Sequence, residues 1–383
     1  MPRPRRPVPT PTPTPTPAKA LPGALLAALL LAPLPAGAAA DPAPAPDWLA
    51  ALAALPSEGF PREAGPWSLA LPADHAPHDA ARAELWQLSL HLRDETGAPL
   101  GLQFSLLRLA ARPPEAEPDT APVARRDLYR AHVTHADPAG SRGAERLARG
   151  LAGLAGPDPD PDPDAPATTL RLDDWSLTLG PGPWRLVAAL GDVAADLALA
   201  PERPPRAAGD AAPFRGYAVP RLRVEGTVET PAGPRAVAGH AWFDHLWGDL
   251  PLPGAAPVVS DRLQLHLDDG TDLTLLRSRR ADGPGAPTLD ALLLAPDGTA
   301  TALADEALRF EPTRRWRDGA RDWPVAWTLA AGDLTLAIEP VADAQAHGFA
   351  VPLWSGLVRA EGTRAGRPVA GLGTLQMPGI GRP

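Results

Sequence analysis

Alternation of apolar and polar residues with a period of two runs through most of this 383-residue chain. In residues 84–93, ELWQLSLHLR, the apolar side chains fall on every second position, at Trp86, Leu88, Leu90 and Leu92. A polar turn, DETGAP, separates this run from a second one that starts at Leu100 and alternates in the same way. The pattern is typical of two half-buried β-strands joined in an antiparallel hairpin.

The same pattern returns towards the C-terminus, with glycine-containing turns between the strands. Residues 262–277 alternate on both sides of a turn at Asp269-Gly270, and residues 325–340 repeat the plan. Many antiparallel strands of similar length predict an all-β protein built as sandwiches or barrels. The exception is residues 47–55, where Asp47 precedes apolar residues at helical spacing and predicts a short N-terminal helix.

The first forty residues have the three zones of an export signal. A basic segment comes first, an apolar run follows at 20–35, and small residues follow at 36–40. This order predicts cleavage after Ala40 and a periplasmic or secreted protein. The apolar run is short and interrupted by proline, so we expect no stable membrane anchor.

Composition excludes several classes of function. The chain has no cysteine, which excludes disulfides, a thiolate nucleophile and a cysteine-bound metal. The predicted leader contains four of the 36 Lys and Arg residues, so the mature chain has 32 basic against 45 acidic residues, a formal charge of −13. This charge argues against nucleic acid or an anionic membrane as a partner. We expect no cofactor.

Two proline-rich segments divide the mature chain. Residues 157–168 contain alternating Asp and Pro, which predicts an extended surface loop. A second proline-rich break, at residues 200–213, predicts a domain boundary. We therefore expect a short helix and Pro-rich lead-in at 41–66, an N-terminal barrel at 67–205 and a C-terminal barrel at 206–383.

Residues 239–251, GHAWFDHLWGDLP, concentrate His, Trp and Asp in a chain that is otherwise rich in Ala, Pro and Leu. If this stretch is a strand, His245 and Trp247 share one face and Trp242 and Asp244 share the other. The side chains of His240 and His245 then point to opposite faces and cannot bind one metal ion there. We predict no metal site.

Several segments, in the same order, resemble the AttH-type secreted lipocalin-like family, which is related to carotenoid 1,2-hydratase (hydroxyneurosporene synthase). LPADHAPHDAARAELWQ is similar to the family's opening FPxDHGxHxxxxxEWWY, and VAGHAWFDHLWGD is similar to VxGxAWxDHEW. LHLDDGTDLTLLRSR resembles LQLDDGxxLMLYxLR, and the similarity extends over roughly residues 71–379. The resemblance implies a fold of two consecutive lipocalin-like (calycin-type) antiparallel β-barrels.

The resemblance also implies candidate catalytic residues, which are Asp261, His245 and Trp247. In that chemistry a protonated carboxyl group gives its proton to an isolated C=C bond, an indole shelters the carbocation and a histidine directs water. The chain departs from the family at Leu246, where the family has Glu, and at Arg262 beside Asp261. These departures favour a conserved fold with altered or lost chemistry.

Eight residues have both a functional and a structural interpretation. The resemblance places six of them along a ligand cleft, where the alternative is a structural ion-pair network or core packing. These six are Glu84, Gln103, Arg108, His132, Trp242 and Trp354. The other two, His240 and Asp244, are expected to be structural residues at a barrel corner, where buried polar groups satisfy the backbone.

The function expected from these observations is binding, with or without modification, of a hydrophobic molecule such as an isoprenoid or a lipid. One alternative is an active hydratase that adds water to an isolated C=C bond of a carotenoid-like substrate. A second alternative is a non-catalytic accessory protein of an envelope transport system, with components of that system as partners. Whether the protein is an enzyme stays open at this point.

Overall fold

The computed structural model describes residues 58–63, 65–113, 127–158, 167–207, 214–250, 258–281, 285–319 and 321–380. These ranges form 22 β-strands and two three-residue 3-10 turns, at Ala73–His75 and Asp305–Ala307, and they contain no α-helix. None of the described residues forms a helix long and apolar enough to cross a membrane. The predicted leader and the predicted helix at 47–55 lie outside the described residues.

Twelve strands form the first antiparallel sheet. They are β1 (Ala83–Asp94), β2 (Pro99–Ala110), β3 (Asp127–Asp137), β4 (Gly140–Arg149), β5 (Ala155–Pro157), β6 (Thr168–Leu172), β7 (Trp175–Leu179), β8 (Trp184–Leu190), β9 (Val193–Pro201), β10 (Arg206–Ala207), β11 (Phe214–Thr230) and β12 (Gly233–Gly248). Their order in the sheet is β4-β3-β2-β1-β12-β11-β9-β8-β7-β6-β5, and β10 pairs with β11. The sheet curls on itself, since β3 and β4 contact β8.

Ten strands form the second antiparallel sheet. They are β13 (Val258–Leu267), β14 (Asp272–Arg280), β15 (Thr288–Leu294), β16 (Ala300–Ala304), β17 (Leu308–Arg317), β18 (Asp322–Ala331), β19 (Leu334–Pro340), β20 (Ala346–His347), β21 (Leu353–Arg364) and β22 (Arg367–Pro378). Their order is β16-β15-β14-β13-β22-β21-β19-β18-β17, with β20 beside β21. This sheet also curls, because β15 contacts β17. The prediction of two consecutive antiparallel barrels is confirmed.

The division between the sheets differs from the boundary predicted at residues 205 and 206. Strands β10 to β12 follow that boundary in sequence, yet β12 pairs with β1 from Val237 to Gly248 and β11 pairs with β9. The chain passes to the second sheet only between Gly248 and Val258. The proline-rich residues 200–213 do interrupt the strands. The sheet that the following strands join is decided by long-range strand pairing, which proline content does not show. The predicted loop at 157–168 also starts later, because Pro157 still belongs to β5.

Each barrel has its own apolar core. Every second side chain of β1, from Trp86 to Leu92, lies in the core of the first barrel, and the equivalent residues of β13, Leu263 and Leu265, lie in the core of the second. Burial of these side chains is the main stabilising contribution to each barrel.

The two barrels pack together through polar side chains. Gln87 of β1 donates a hydrogen bond to Gln376 of β22 over 2.8 Å, and His91 of β1 meets His266 of β13 with 2.9 Å between their Nδ1 atoms. Gln87 and His91 alternate with the core residues of β1 and therefore face outwards from the first barrel. They are nevertheless buried, because the second barrel covers that face.

Candidate site at the end of the first barrel

The candidate site lies at one end of the first barrel. Strands β1 and β11 begin there and β2 and β12 end there, since Ala83 pairs with Gly248 and Leu109, and Phe214 pairs with Gly248. Residues 67–81 precede β1 and pack their aromatic side chains into this end. The strand ends and this segment together build a polar cluster inside an otherwise apolar barrel.

Glu84, the second residue of β1, is the centre of the cluster and is fully buried. Its Oε1 atom lies 2.7 Å from Nδ1 of His78 and 2.9 Å from Nε2 of His245. Its Oε2 atom accepts a hydrogen bond from Nε of Arg108 at 3.1 Å and one from the backbone N–H of His78 at 2.9 Å. Four donor groups from three chain segments thus converge on one carboxylate.

A second layer of hydrogen bonds holds these groups in place. Arg108 donates through Nη1 to Asp127 at 3.1 Å and through Nη2 to the carbonyl oxygens of His78 and Ala81. On the other side, Nε2 of His78 lies 3.6 Å from Oδ1 of Asp74. Oδ2 of Asp74 accepts the backbone N–H of Ala70 at 2.6 Å, which fixes that carboxylate.

Aromatic rings surround the two histidines. Trp247 stacks on His78 with 3.8 Å between ring centroids and 5° between planes, and Trp86 stacks on His245 at 4.7 Å and 22°. Trp67 meets the edge of Trp247 at 5.3 Å. The side chain of His78 is 24% exposed, whereas those of Glu84 and His245 are completely buried, so solvent reaches the cluster from the side of His78.

Electrostatics determines the protonation of the cluster. Burial opposes ionisation of Glu84, but hydrogen bonds from His245 and His78 and the charge of Arg108 lower its pKa to about 2. Burial lowers the pKa of His245, although Glu84 acts in the opposite direction. At neutral pH the pair therefore consists of a carboxylate and a neutral imidazole, which accept protons and do not supply them.

Four of the residues predicted from the sequence come together here. Glu84, Arg108, His245 and Trp247 all project into the first barrel, and His245 and Trp247 share one face of β12 as the strand pattern predicted.

Three other predicted residues, together with Asp244, lie at the interface between the barrels. Trp242 donates to Asp244 at 3.0 Å, and Gln103 bonds to Ser355 and Gln376 of the second barrel. His132 lies against Phe349, with 5.3 Å between ring centroids. These side chains face away from the interior of the first barrel, and none of the described contacts joins them to Glu84.

The remaining predicted residues lie further away. Asp261 projects into the second barrel, where Nη1 of Arg277 donates to it at 3.0 Å. Trp354 belongs to the apolar core of the same barrel. His240 is half-buried at the rim of the interface, 3.5 Å from Glu202. Asp261 and His245 therefore project into the interiors of different barrels.

The sequence analysis did not single out His78, Asp74 or Trp67, which complete the site. His78 and Asp74 are part of the opening motif DHAPHDAARAELW, which also contains Glu84. The motif is therefore the sequence feature from which the two residues could have been identified. Its members converge only because β1 pairs with β12 across 161 residues of sequence between Glu84 and His245. Tyr217, whose hydroxyl lies 2.5 Å from Nδ1 of His75, was also missed.

Two cavities lie among the described residues away from this cluster. One of about 300 Å³ opens at the interface between the barrels beside His91, His240 and His266. Another of about 500 Å³ lies beside His135 and Arg235. Buried apolar side chains pack the core of each barrel, and at the end of the first barrel aromatic rings and polar groups meet beside the partly exposed His78.

Two consecutive curled antiparallel sheets with this polar cluster define a two-barrel, lipocalin-like protein. The AttH-like family profile matches residues 62–380, and the chain belongs to that family. A protein from Nitrosomonas europaea, provisionally named AttH, has a similar crystal structure with a TM-score of 0.67 and 25% identity, over 84% of this chain and 100% of that one. Kievitone hydratase from Nectria haematococca is similar with a TM-score of 0.56 and 12% identity, over 84% and 98% of the two chains. No curated protein matches the sequence.

Proposed function

We propose that the protein binds a small molecule with an apolar body and a polar end, such as an isoprenoid or a lipid, at the end of its first barrel. The observation that carries this proposal is the buried cluster of Glu84, His78 and His245, walled by indole rings and reached from solvent at His78. Barrel mouths with apolar walls and a few convergent polar groups are typical ligand sites.

The chemistry of the walls favours such a ligand. Trp67 is half-buried and Trp247 is buried, and their edge-to-face contact leaves an aromatic surface at the entrance. Aromatic surfaces of this kind favour apolar or planar groups. A hydroxyl or carbonyl group of the ligand reaches His78, the one member of the cluster with an exposed side chain.

The alternative of an active hydratase has less support. Protonation of an isolated C=C bond requires an acid, and the carboxyl group beside His245, that of Glu84, is held ionised by its hydrogen bonds and by Arg108. Asp261, the acid that the family resemblance implies, is ion-paired with Arg277 inside the second barrel. The likeness to kievitone hydratase supports the fold and not the reaction.

Export remains a prediction from the first forty residues. N-terminal sequencing of the protein isolated from its host tests it, and we expect the mature chain to begin at Asp41. A chain that keeps Met1 and stays in the cytoplasm would show that the leader is not an export signal.

Binding is tested with geranylgeraniol and palmitic acid as isoprenoid and lipid probes, together with mass spectrometry of organic extracts of the purified protein. We expect Trp67→Leu to weaken binding of the better probe about tenfold, which corresponds to about 1.4 kcal/mol. The matched control is Trp316→Leu, because Trp316 is a half-buried indole of the second barrel. Equal losses in both variants, or no binding of either probe and an empty extract, would contradict the proposal.

A further inference from the structure

We propose that His78, Glu84 and His245 form a binding site for a divalent transition-metal ion of the Zn²⁺ or Co²⁺ type. The inference stands on the geometry of the three side chains and does not depend on the ligand proposed above. It revises the expectation, drawn from residues 239–251 alone, that the chain has no metal site.

The positions of the ligand atoms fit such an ion. Each residue offers one atom, and the three atoms lie within 4.8 Å of one another. Zinc bound to His and Glu has metal–ligand distances of about 2.0–2.2 Å, so ligand atoms around it are separated by somewhat more than 3 Å. Nδ1 of His78 and Nε2 of His245 lie 2.7 and 2.9 Å from Oε1 of Glu84, so both histidine nitrogens already face the oxygen that would share the ion with them.

Two imidazoles and one carboxylate are also the ligand set of many zinc sites with an open fourth position. Here the open position lies on the exposed side of His78, since the other two ligands are completely buried. An ion in this place has access to solvent and to a small molecule at the barrel end.

The groups behind two of the ligands, His78 and Glu84, orient them as a metal site requires. A metal-bound imidazole usually gives its second N–H to a carboxylate, and Nε2 of His78 lies 3.6 Å from Oδ1 of Asp74. When the ion binds, it displaces the proton from Nδ1 of His78, and the ring keeps its proton on Nε2, which faces Asp74. Arg108 holds Oε2 of Glu84 at 3.1 Å and so leaves Oε1 as the atom between the histidines.

The charges around the cluster favour a cation. Glu84 and Asp74 contact His78, Asp127 contacts Arg108, and Asp79 contributes to the electrostatic environment of Arg108. Two carboxylates, Glu84 and Asp74, thus contact His78 directly, and the guanidinium of Arg108 is shared between Glu84 and Asp127. A divalent ion compensates this excess of negative charge, which is otherwise costly in a partly buried place.

The rings are held by stacking and by the fold. His78 lies against Trp247, and His245 lies against Trp86. The three ligands come from the segment before β1, from β1 itself and from β12, so only the folded chain brings them together. Binding to the folded form alone stabilises it, and the melting temperature then rises with metal concentration.

The test uses the full chain without a histidine tag, stripped of metal by a chelator and titrated with Co²⁺ and Zn²⁺. We expect one Co²⁺ per chain with the visible d–d absorption of a four- or five-coordinate ion, displacement of that signal by Zn²⁺, and a higher melting temperature with Zn²⁺. His78→Gln is expected to weaken Co²⁺ binding at least tenfold. Asp74→Asn is expected to weaken it by roughly 10- to 100-fold through loss of ligand orientation.

The control is His135→Gln, which replaces another buried histidine of the same barrel. It should leave the cobalt spectrum and affinity unchanged. Circular dichroism shows whether each variant folds, and His78 is a suitable position because its side chain is partly exposed. Absence of Co²⁺ binding by the folded wild-type chain, or equal binding by folded His78→Gln, would overturn the proposal and leave the binding of organic ligands untouched.

Discussion

Asp244 of β12 and Arg262 of β13 form a completely buried ion pair that joins the two barrels. Asp244 also accepts a hydrogen bond from Nε1 of Trp242 at 3.0 Å. The sequence predicted that Asp244 would anchor backbone amides at a corner, and the structure instead shows side-chain partners across an interface. Burial raises the pKa of Asp244, although the charge of Arg262 acts in the opposite direction.

The first prediction concerns this ion pair. Asp244→Asn keeps the shape of the side chain but leaves the guanidinium of Arg262 buried without its counter-ion. We expect the free energy of unfolding to fall by about 3–5 kcal/mol, measured by denaturant melts. The double variant Asp244→Asn, Arg262→Gln should recover part of the loss because no uncompensated charge remains.

The matched control is the exposed pair of Arg185 and Asp196 on β8 and β9, whose side chains are 61% and 55% exposed. Asp196→Asn should cost less than about 1 kcal/mol, since water screens exposed pairs. Similar losses for Asp244→Asn and Asp196→Asn would show that the interface pair does not hold the barrels together.

The second prediction concerns pH and the histidines between the barrels. Burial lowers the pKa of His91 to about 3, and the nearby His240 and Arg221 act in the same direction. The pKa of His266 is lowered well below its ordinary value, also by burial first and by His91 next. The native state keeps these rings neutral, with His91 bonded to Thr374 and His266 to the carbonyl oxygen of Pro220.

The direction of the pH dependence of stability follows from the different protonation of these histidines in the folded and unfolded states. Unfolded histidines bind protons below their ordinary pKa of about 6.5, whereas the buried rings do not until much lower pH. Stability is therefore complete above pH 6.5 and is lost as the pH falls towards 3. Each such ring contributes up to about 1.4 kcal/mol per pH unit in this window.

Denaturant melts between pH 7 and pH 5 measure this effect. The slope of the unfolding free energy with pH reports the number of protons that the chain takes up on unfolding. We expect His91→Gln to lower this number by nearly one. His240→Gln should reduce it less, because His240 is only half-buried and Glu202 opposes the lowering of its pKa by desolvation. An unchanged slope in His91→Gln would mean that His91 is protonated in the native interface.

The sequence predicted the faces of the strands but not their surroundings. The alternation of side chains along a strand correctly placed Trp86 in a core, and it correctly put His240 and His245 on opposite faces of β12. The same alternation along β13 puts Asp261 on the face of Leu263, inside the second barrel. A period of two cannot show whether the opposite face meets water or another barrel, so the burial of Gln87 and His91 was not predictable.

The membership of the candidate site was only partly predictable for a related reason. Glu84, Arg108, His245 and Trp247 were identified through the family resemblance, but the motif did not show which of them touch. The contact between Glu84 and His245 depends on the register of β1 against β12. Asp261 was grouped with His245, whereas the strand order assigns the two to different sheets. Register and strand order are properties of long-range pairing, which local patterns do not contain.

The third prediction concerns Gly239 of β12, which pairs with Leu92 of the neighbouring strand β1. A Cβ atom added at this position would lie 2.2 Å from the carbonyl oxygen of His91 and 2.9 Å from Cα of Leu92. Because the obstacle is backbone, Gly239→Ala should destabilise the protein by about 3 kcal/mol. The control is Gly182→Ala, at a position where a Cβ atom meets nothing within 4 Å. Its effect should stay within about 0.5 kcal/mol, and equal effects in the two variants would contradict the close approach.

The last prediction separates the hydratase alternative from a structural role of Asp261. Its carboxylate is buried, accepts from Nη1 of Arg277 at 3.0 Å and lies 3.9 Å from Nε of Arg279. Asp261→Asn removes the charge that balances these guanidinium groups, so we expect a loss of about 1–3 kcal/mol in the free energy of unfolding.

Asp261→Asn should leave the binding of geranylgeraniol or Co²⁺ at the first barrel unchanged, since Asp261 projects into the second barrel. Arg277→Gln serves as the partner control and should cost a similar amount of stability, because the two side chains form one pair. A hydratase that uses Asp261 as its acid predicts the reverse. Asp261→Asn would then abolish hydration of an isoprenoid C=C bond, followed by mass spectrometry as a gain of one water, while stability hardly changed. That result would show that the proton of Asp261 is needed for the reaction. It would assign the chemistry to the second barrel, where Asp261 lies.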